Sequence, residues 1–187
     1  MYLPTMIPLA ALLSTTLTAA TATSSSSPVV LSDSEPKYLN LTAISAAHGS
    51  STLECWQFGP FSSSSTPGTT GALNLVLGDM SNASYSVIPP RFDGGLHNAP
   101  APQLVFFNTG LIHITLPNST DEAWVQGGKY GLIIAADTAD KSTHGHRTQY
   151  PSDADTIALQ VPLKAGERFD YTLLHQGACG MEDMTGL

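Results

Sequence analysis

The sequence predicts a single-domain, all-β fold, and three observations carry that expectation. Thirteen Pro and sixteen Gly interrupt the chain, and short runs rich in Val, Ile and Thr lie between them. These runs recur with turn signals at intervals of roughly 8–12 residues, the rhythm of a sandwich or barrel. After the N-terminus no helical periodicity is visible. The 187 residues suit one domain with a full core.

In chain order, residues 1–22 read as a secretory signal. Ile7–Leu13 is an apolar core, and Ala20-Thr21-Ala22 is a small-x-small cleavage pattern, although no Lys or Arg precedes the core. The apolar run is too short and too Thr-rich to span a bilayer, and no later segment is long enough to span one. Residues 23–52 form a Ser-rich leader with β-like runs at Val29–Leu31 and Leu39–Ile44. Residues 53–187 form the barrel domain. Within it, Phe61–Thr70 reads as a Ser/Thr/Pro/Gly surface loop. Ala72–Leu77 is a strand candidate ended by Gly78-Asp79, and Tyr85–Ile88 is one stopped by Pro89-Pro90. Gln103–Asn108 and Leu111–Leu116 are joined by the hairpin signal Thr109-Gly110. Pro117–Asp121 turns the chain again, and Tyr130–Ala136 and Thr156–Val161 complete the predicted core.

Composition excludes several classes. Fifteen acidic against seven basic residues give a formal charge of −8, which argues against a nucleic-acid partner. At 42% hydrophobic and 12% charged the chain is not of disordered composition. The sequons at Asn40, Asn82 and Asn118 are candidate glycosylation sites. The only cysteines, Cys55 and Cys179, would most simply pair in an oxidising compartment, the alternative being two buried thiols. Secretion, or residence in the lumen of the secretory pathway, is therefore the expected location. A homodimer is left open.

No serine elbow, zinc-binding HExxH, dinucleotide fingerprint or phosphate loop is present. The informative stretch is residues 89–163. His97 opens Leu96–Gln103, and His146 sits in His144-Gly145-His146-Arg147-Thr148. If Gln103 faces inward, strand alternation takes Val105 and Phe107 with it. Trp56 and Phe92 are candidate flat apolar walls, with ordinary core packing as their alternative. His113, mid-strand, is expected to face solvent.

This order of histidines resembles the cupin superfamily, whose jelly-roll barrel the resemblance implies here. The first cupin motif places a His, a second His two residues on and a Glu four residues after that. In this chain those places hold His97, Ala99 and Gln103, and the last His of the second motif corresponds to His146. Ala99 offers no donor and Gln103 only a neutral amide, so half of the usual ligands are missing. The expectation is a cavity with no metal and no cofactor. The alternatives are structural histidines, or a metal site completed by an unidentified residue.

A finer similarity, over residues 53–163, is to small fungal secreted proteins that include the hetero-Diels–Alderases of tropolone–sesquiterpenoid biosynthesis. That resemblance implies an intermolecular cycloaddition between a tropolone-derived o-quinone methide and a humulene-type sesquiterpene. His97, Gln103 and His146 would be catalytic donors, and Trp56, Phe92, Val105 and Phe107 would contact an apolar, oxygen-bearing substrate. The competing readings are a secreted small-molecule or glycan-binding jelly roll, and a metal-dependent cupin oxygenase or isomerase.

Overall fold

A computed structural model describes residues 36–184. The expected signal, the run at 29–31 and the last three residues lie outside them.

Thirteen strands and one helical turn follow in order: β1 Leu39–Ala47, β2 Ser50–Phe58, β3 Ser62–Ser63, β4 Leu73–Asn74, β5 Ser84–Ile88, β6 Phe92–His97, β7 Gln103–Phe107, β8 Leu111–Thr115, β9 Glu122–Gln126, β10 Leu132–Ala135, β11 His146–Tyr150, β12 Thr156–Pro162, β13 Thr172–Gln176 and α1 Met181–Met184. The chain is all-β, as its turn rhythm predicts. A seven-stranded sheet runs β13-β2-β1-β10-β7-β12-β5, a four-stranded sheet runs β6-β11-β8-β9, and β3 pairs with β4.

The two larger sheets share one core. Ile44, Leu53, Val105, Phe107, Ile133 and Ala158 from the first meet Ile112, Ile114, Ala123 and Val125 from the second. Alternation sends Leu41, Ala43, Trp56, Phe58, Leu104 and Ile134 to the opposite face of the seven-stranded sheet. There Leu75, Leu77, Met80 and Phe169 cover them. Burial on both faces explains why Leu132–Ala136 is continuously apolar rather than alternating. The four-stranded sheet has one wet face, and β9 accordingly alternates strictly between exposed and buried residues.

Three expectations need correction. Ala72–Leu77 is not a full strand. Only Leu73–Asn74 pairs, with Ser62–Ser63, while Leu73 and Val76 lie exposed and Leu75 and Leu77 pack on the second cluster. The boundary placed between residues 52 and 53 falls inside β2, and β1 and β2 form one antiparallel hairpin in the main sheet. Strands β2, β6, β9, β11 and β13 are not anticipated from the sequence: polar residues or glycines break up β2, β6 and β11, and β9 and β13 offer only five residues each.

Cys55 and Cys179 form a disulfide. It ties β2 to the segment after β13. There the Cys179 amide donates to Thr42 Oγ1 at 3.0 Å, and the Asn40 Nδ2 donates to the Asp183 carbonyl at 2.8 Å. Asn82 stands exposed in the irregular segment before β5, and Asn118 stands exposed in a turn. Asn40 is half-buried in β1, and its Oδ1 accepts from Gln57.

Candidate functional site: a cavity between the sheets

The antiparallel pairing of β6 with β11 sets His97 opposite His146. Directly opposed residues on neighbouring strands project to the same face, and the two imidazole centroids lie 4.5 Å apart. Gly145 makes this approach feasible. A Cβ at that position would lie 2.0 Å from the His97 carbonyl oxygen, and its φ of +68° is left-handed.

Both histidines open onto a cavity of about 310 Å³ between the sheets. Gln103, Val105 and Phe107 line it from β7, Ile133 and Ala135 from β10, and Thr148 and Tyr150 from β11. Ala99 and Pro100 lie in the same wall, so positions 97, 99, 103 and 146 all meet there. The volume sits at the lower end of the range of about 300–1,000 Å³ seen for small-molecule sites.

The imidazoles are held differently. His97 is exposed at the rim, with Nδ1 3.0 Å from the Gly95 carbonyl. A carbonyl only accepts, so Nδ1 carries the proton and Nε2 keeps a lone pair. His146 is buried, and its Nδ1 lies 2.8 Å from Oδ2 of Asp137, which is itself fully buried. The Ser51 hydroxyl donates to the same oxygen at 2.6 Å. Asn98 Nδ2 donates to the carbonyls of Asp137 and Ser142, closing the loop beneath the dyad. A carboxylate on Nδ1 fixes the tautomer and leaves Nε2 to accept a proton or a hydrogen bond. Among the described residues Oδ1 of Asp137 has no partner.

Gln103 is buried, and its side-chain amide makes no hydrogen bond within the described residues. Buried amides are normally paired, so an unpaired one on a cavity wall is available to a ligand. Tyr150 adds a phenol whose pKa burial pushes up to about 12. It stays protonated across the physiological range as a hydrogen-bond donor. Its ring packs against Phe107 and Phe92, at centroid distances of 6.3 and 6.1 Å.

Trp56 is not among the residues lining this cavity. It shares the phase of Glu54 and Phe58, so it faces the other side of the seven-stranded sheet. There it stacks on Tyr171 with centroids 3.5 Å apart, and its indole N–H donates to Glu54 at 2.6 Å. Leu53 and Cys55 take the inward positions of β2. Phe92 does not line the cavity either. It stands about half exposed at the start of β6 and lines a separate groove with Tyr150.

Asp137 and Tyr150 escaped the sequence reading. Tyr150 had a usable signal, since it lies two and four residues beyond Thr148 and His146 on one strand. Asp137 had a fainter one, a lone carboxylate closing the apolar run Leu132–Ala136.

The donor set does not suit a bound transition metal. Two imidazoles, a methyl group and a neutral amide stand at the four cupin places, and among the described residues no other His, Cys, Asp or Glu side chain lines the cavity, Asp137 being engaged by Nδ1 of His146 behind it. No protein-family model matches the chain, and no curated protein matches it significantly.

Proposed function

We propose that this chain is a cupin-like, metal-independent cyclase of the secretory pathway. It acts on an apolar small molecule bearing one or two oxygens, in the manner of the tropolone–sesquiterpenoid hetero-Diels–Alderases that it resembles. The observation carrying this reading is the unpaired amide of Gln103, set beside two open imidazole nitrogens on the wall of a cavity that mixes an apolar floor with a few hydroxyl and amide groups.

A hetero-Diels–Alder reaction needs neither a nucleophile nor a redox group. It needs two partners held face to face, and positioning alone supplies roughly 7–11 kcal/mol in favourable cases. Val105, Phe107, Ile133 and Ala135 provide an apolar floor. A donor on the quinone methide oxygen lowers its acceptor orbital and stabilises the charge that grows there as the ring forms. The Gln103 amide N–H and the Tyr150 hydroxyl are the donors at hand. His146, held by Asp137, accepts from a substrate hydroxyl and orients it.

The test is product analysis. A tropolone o-quinone methide, released from a masked precursor, is mixed with a humulene-type alcohol with and without purified protein. The expected result is faster formation of the dihydropyran ring and enrichment of one diastereomer. A His97→Leu/Gln103→Leu/His146→Leu variant that still folds is expected to lose roughly 10²–10³-fold in rate, the effect of one transition-state donor or more. Rate and product ratio identical to buffer would overturn the proposal. Saturable binding of the alcohol without turnover would make the protein a carrier instead.

A further inference from the structure

The outer face of the four-stranded sheet carries a second cluster of side chains, which shares only Tyr150 with the lining of the cavity. Four side chains stand in a row across all four strands, because their backbones are paired in register. Asp93 on β6 faces Gln149 on β11, Gln149 faces His113 on β8, and His113 faces Trp124 on β9. Their neighbours Ile112, Ile114, Ala123 and Val125 are buried, which fixes this row on the solvent side.

The row is built rather than incidental. The Trp124 and His113 rings stack with centroids 3.9 Å apart at an interplanar angle of 8°. Yet Trp124 keeps 54% of its surface exposed. His113 Nε2 is held by Glu122 at 2.7 Å, leaving Nδ1 unused. Gln149 donates through Nε2 to Asp93 at 3.3 Å and leaves its carbonyl oxygen unused. Phe92, about half exposed, supplies a second ring along a groove of about 410 Å³.

Each carboxylate here already has a partner, Glu122 being held by His113 Nε2. Arg147 engages Asp93 through Nε and a terminal nitrogen, and Arg91 engages Asp153 at 2.6 Å. An anionic or cationic ligand would have to displace a partner. A purely apolar ligand would strip water from the Gln149 and Asp93 oxygens without replacing it. A neutral, ring-shaped, polyhydroxylated ligand meets every requirement. Its C–H face lies on the indole face that His113 leaves free, and its vicinal hydroxyls reach towards the amide and carboxylate.

From this arrangement we infer that the Trp124–His113–Gln149–Asp93 row binds a neutral saccharide. The strand-crossing row gives an extended chain of sugars its direction, across the sheet from β9 towards β6. Trp124 and Gln149 line only the groove and Gln103 only the cavity, which makes the two readings separable.

The experiment is titration of the intact protein with laminarihexaose, cellohexaose and chitohexaose, followed by intrinsic fluorescence and by calorimetry. Trp124 is exposed and Trp56 buried, so a saccharide on the row blue-shifts the exposed indole's emission. At least one of the three is expected to give saturable binding. Trp124→Ala is expected to weaken that binding at least tenfold, and Gln149→Ala, a surface change that tests the row without removing an aromatic, should weaken it as well. Gln103→Leu should leave it unchanged. Absence of binding to all three overturns the inference. So does binding that survives Trp124→Ala, or that is lost in Gln103→Leu. Trp124-dependent dimerisation without any saccharide response would reassign the row as an interface between copies of the chain.

Discussion

Replacing Gln103 by Leu is expected to make the protein more stable and less functional at once. The Gln103 residue is buried in β7, and its amide faces the cavity with no protein partner among the described residues. Leaving such a group unpaired costs about 1–3 kcal/mol, and its contact with the cavity places this one in the lower part of that range. Leu is close in volume, continues the apolar wall of Val105 and Phe107, and removes about 1–2 kcal/mol of that cost. Unfolding of roughly 150 described residues carries an entropy of about 0.3 kcal/mol/K. The expected gain is therefore about 3–6 °C in Tm, read by calorimetry at fixed pH. The same variant should lose about 10²-fold in rate or ligand affinity. An amide kept for folding behaves in the opposite sense. A drop in Tm with activity intact would refute the reasoning, because it would show that the amide finds a structural partner.

Asp137→Asn preserves volume but offers Nδ1 of His146 an amide instead of a carboxylate. Turnover should fall while substrate affinity changes little, and nitrogen NMR of the imidazole should report an altered tautomer. Tyr150 gives the pH prediction. Its folded pKa of about 12 stands above the unfolded value near 10. The folded state thus holds the proton more tightly, and this contribution is complete below pH 10 and is lost as pH rises towards 12. The loss amounts to about 2–3 kcal/mol. Tyr150→Phe should abolish that part of the alkaline decline, as measured by denaturation at pH 9 and pH 11.5. Cys55→Ser with Cys179→Ser opens a link spanning 124 positions. It should lower stability by about 4–5 kcal/mol in urea, and a change under 1 kcal/mol would show that the segment after β13 is held without it.

The fold class was legible because turns and β-branched runs are local signals. Strands whose apolar positions announce themselves, such as Leu111–Thr115 and Thr156–Pro162, were readable almost to the residue. Strand β6 was not, since Phe92-Asp93-Gly94-Gly95-Leu96-His97 holds two glycines and is largely exposed. Its place comes from pairing with β11, which is a non-local fact. The cavity was half legible. Alternation correctly carried Val105 and Phe107 with Gln103, because one strand fixes all three. It gave no purchase on Trp56, whose facing depends on which side of the seven-stranded sheet the other layer packs. Asp137 was hidden for the same reason: its importance lies in a 2.8 Å contact with a residue on another strand.

The place of β1 within its sheet has a consequence for biosynthesis. It is the strand that pairs in parallel among the described strands, running beside β10 through Ala43 opposite Ile134 and Ile44 opposite Ala135. A hairpin partner, β2, is available to it almost at once. Its other edge must wait for roughly 90 further residues, or about 4–18 s at ordinary rates of translation. Through that interval Ala43, Ile44, Leu53 and Trp56, all buried in the finished sheet, have no second layer to meet. An unpaired edge beside apolar faces invites association with other chains. Yield in a heterologous host should therefore respond more to slower synthesis, lower temperature or holding chaperones than to substitutions that raise the stability of the finished fold.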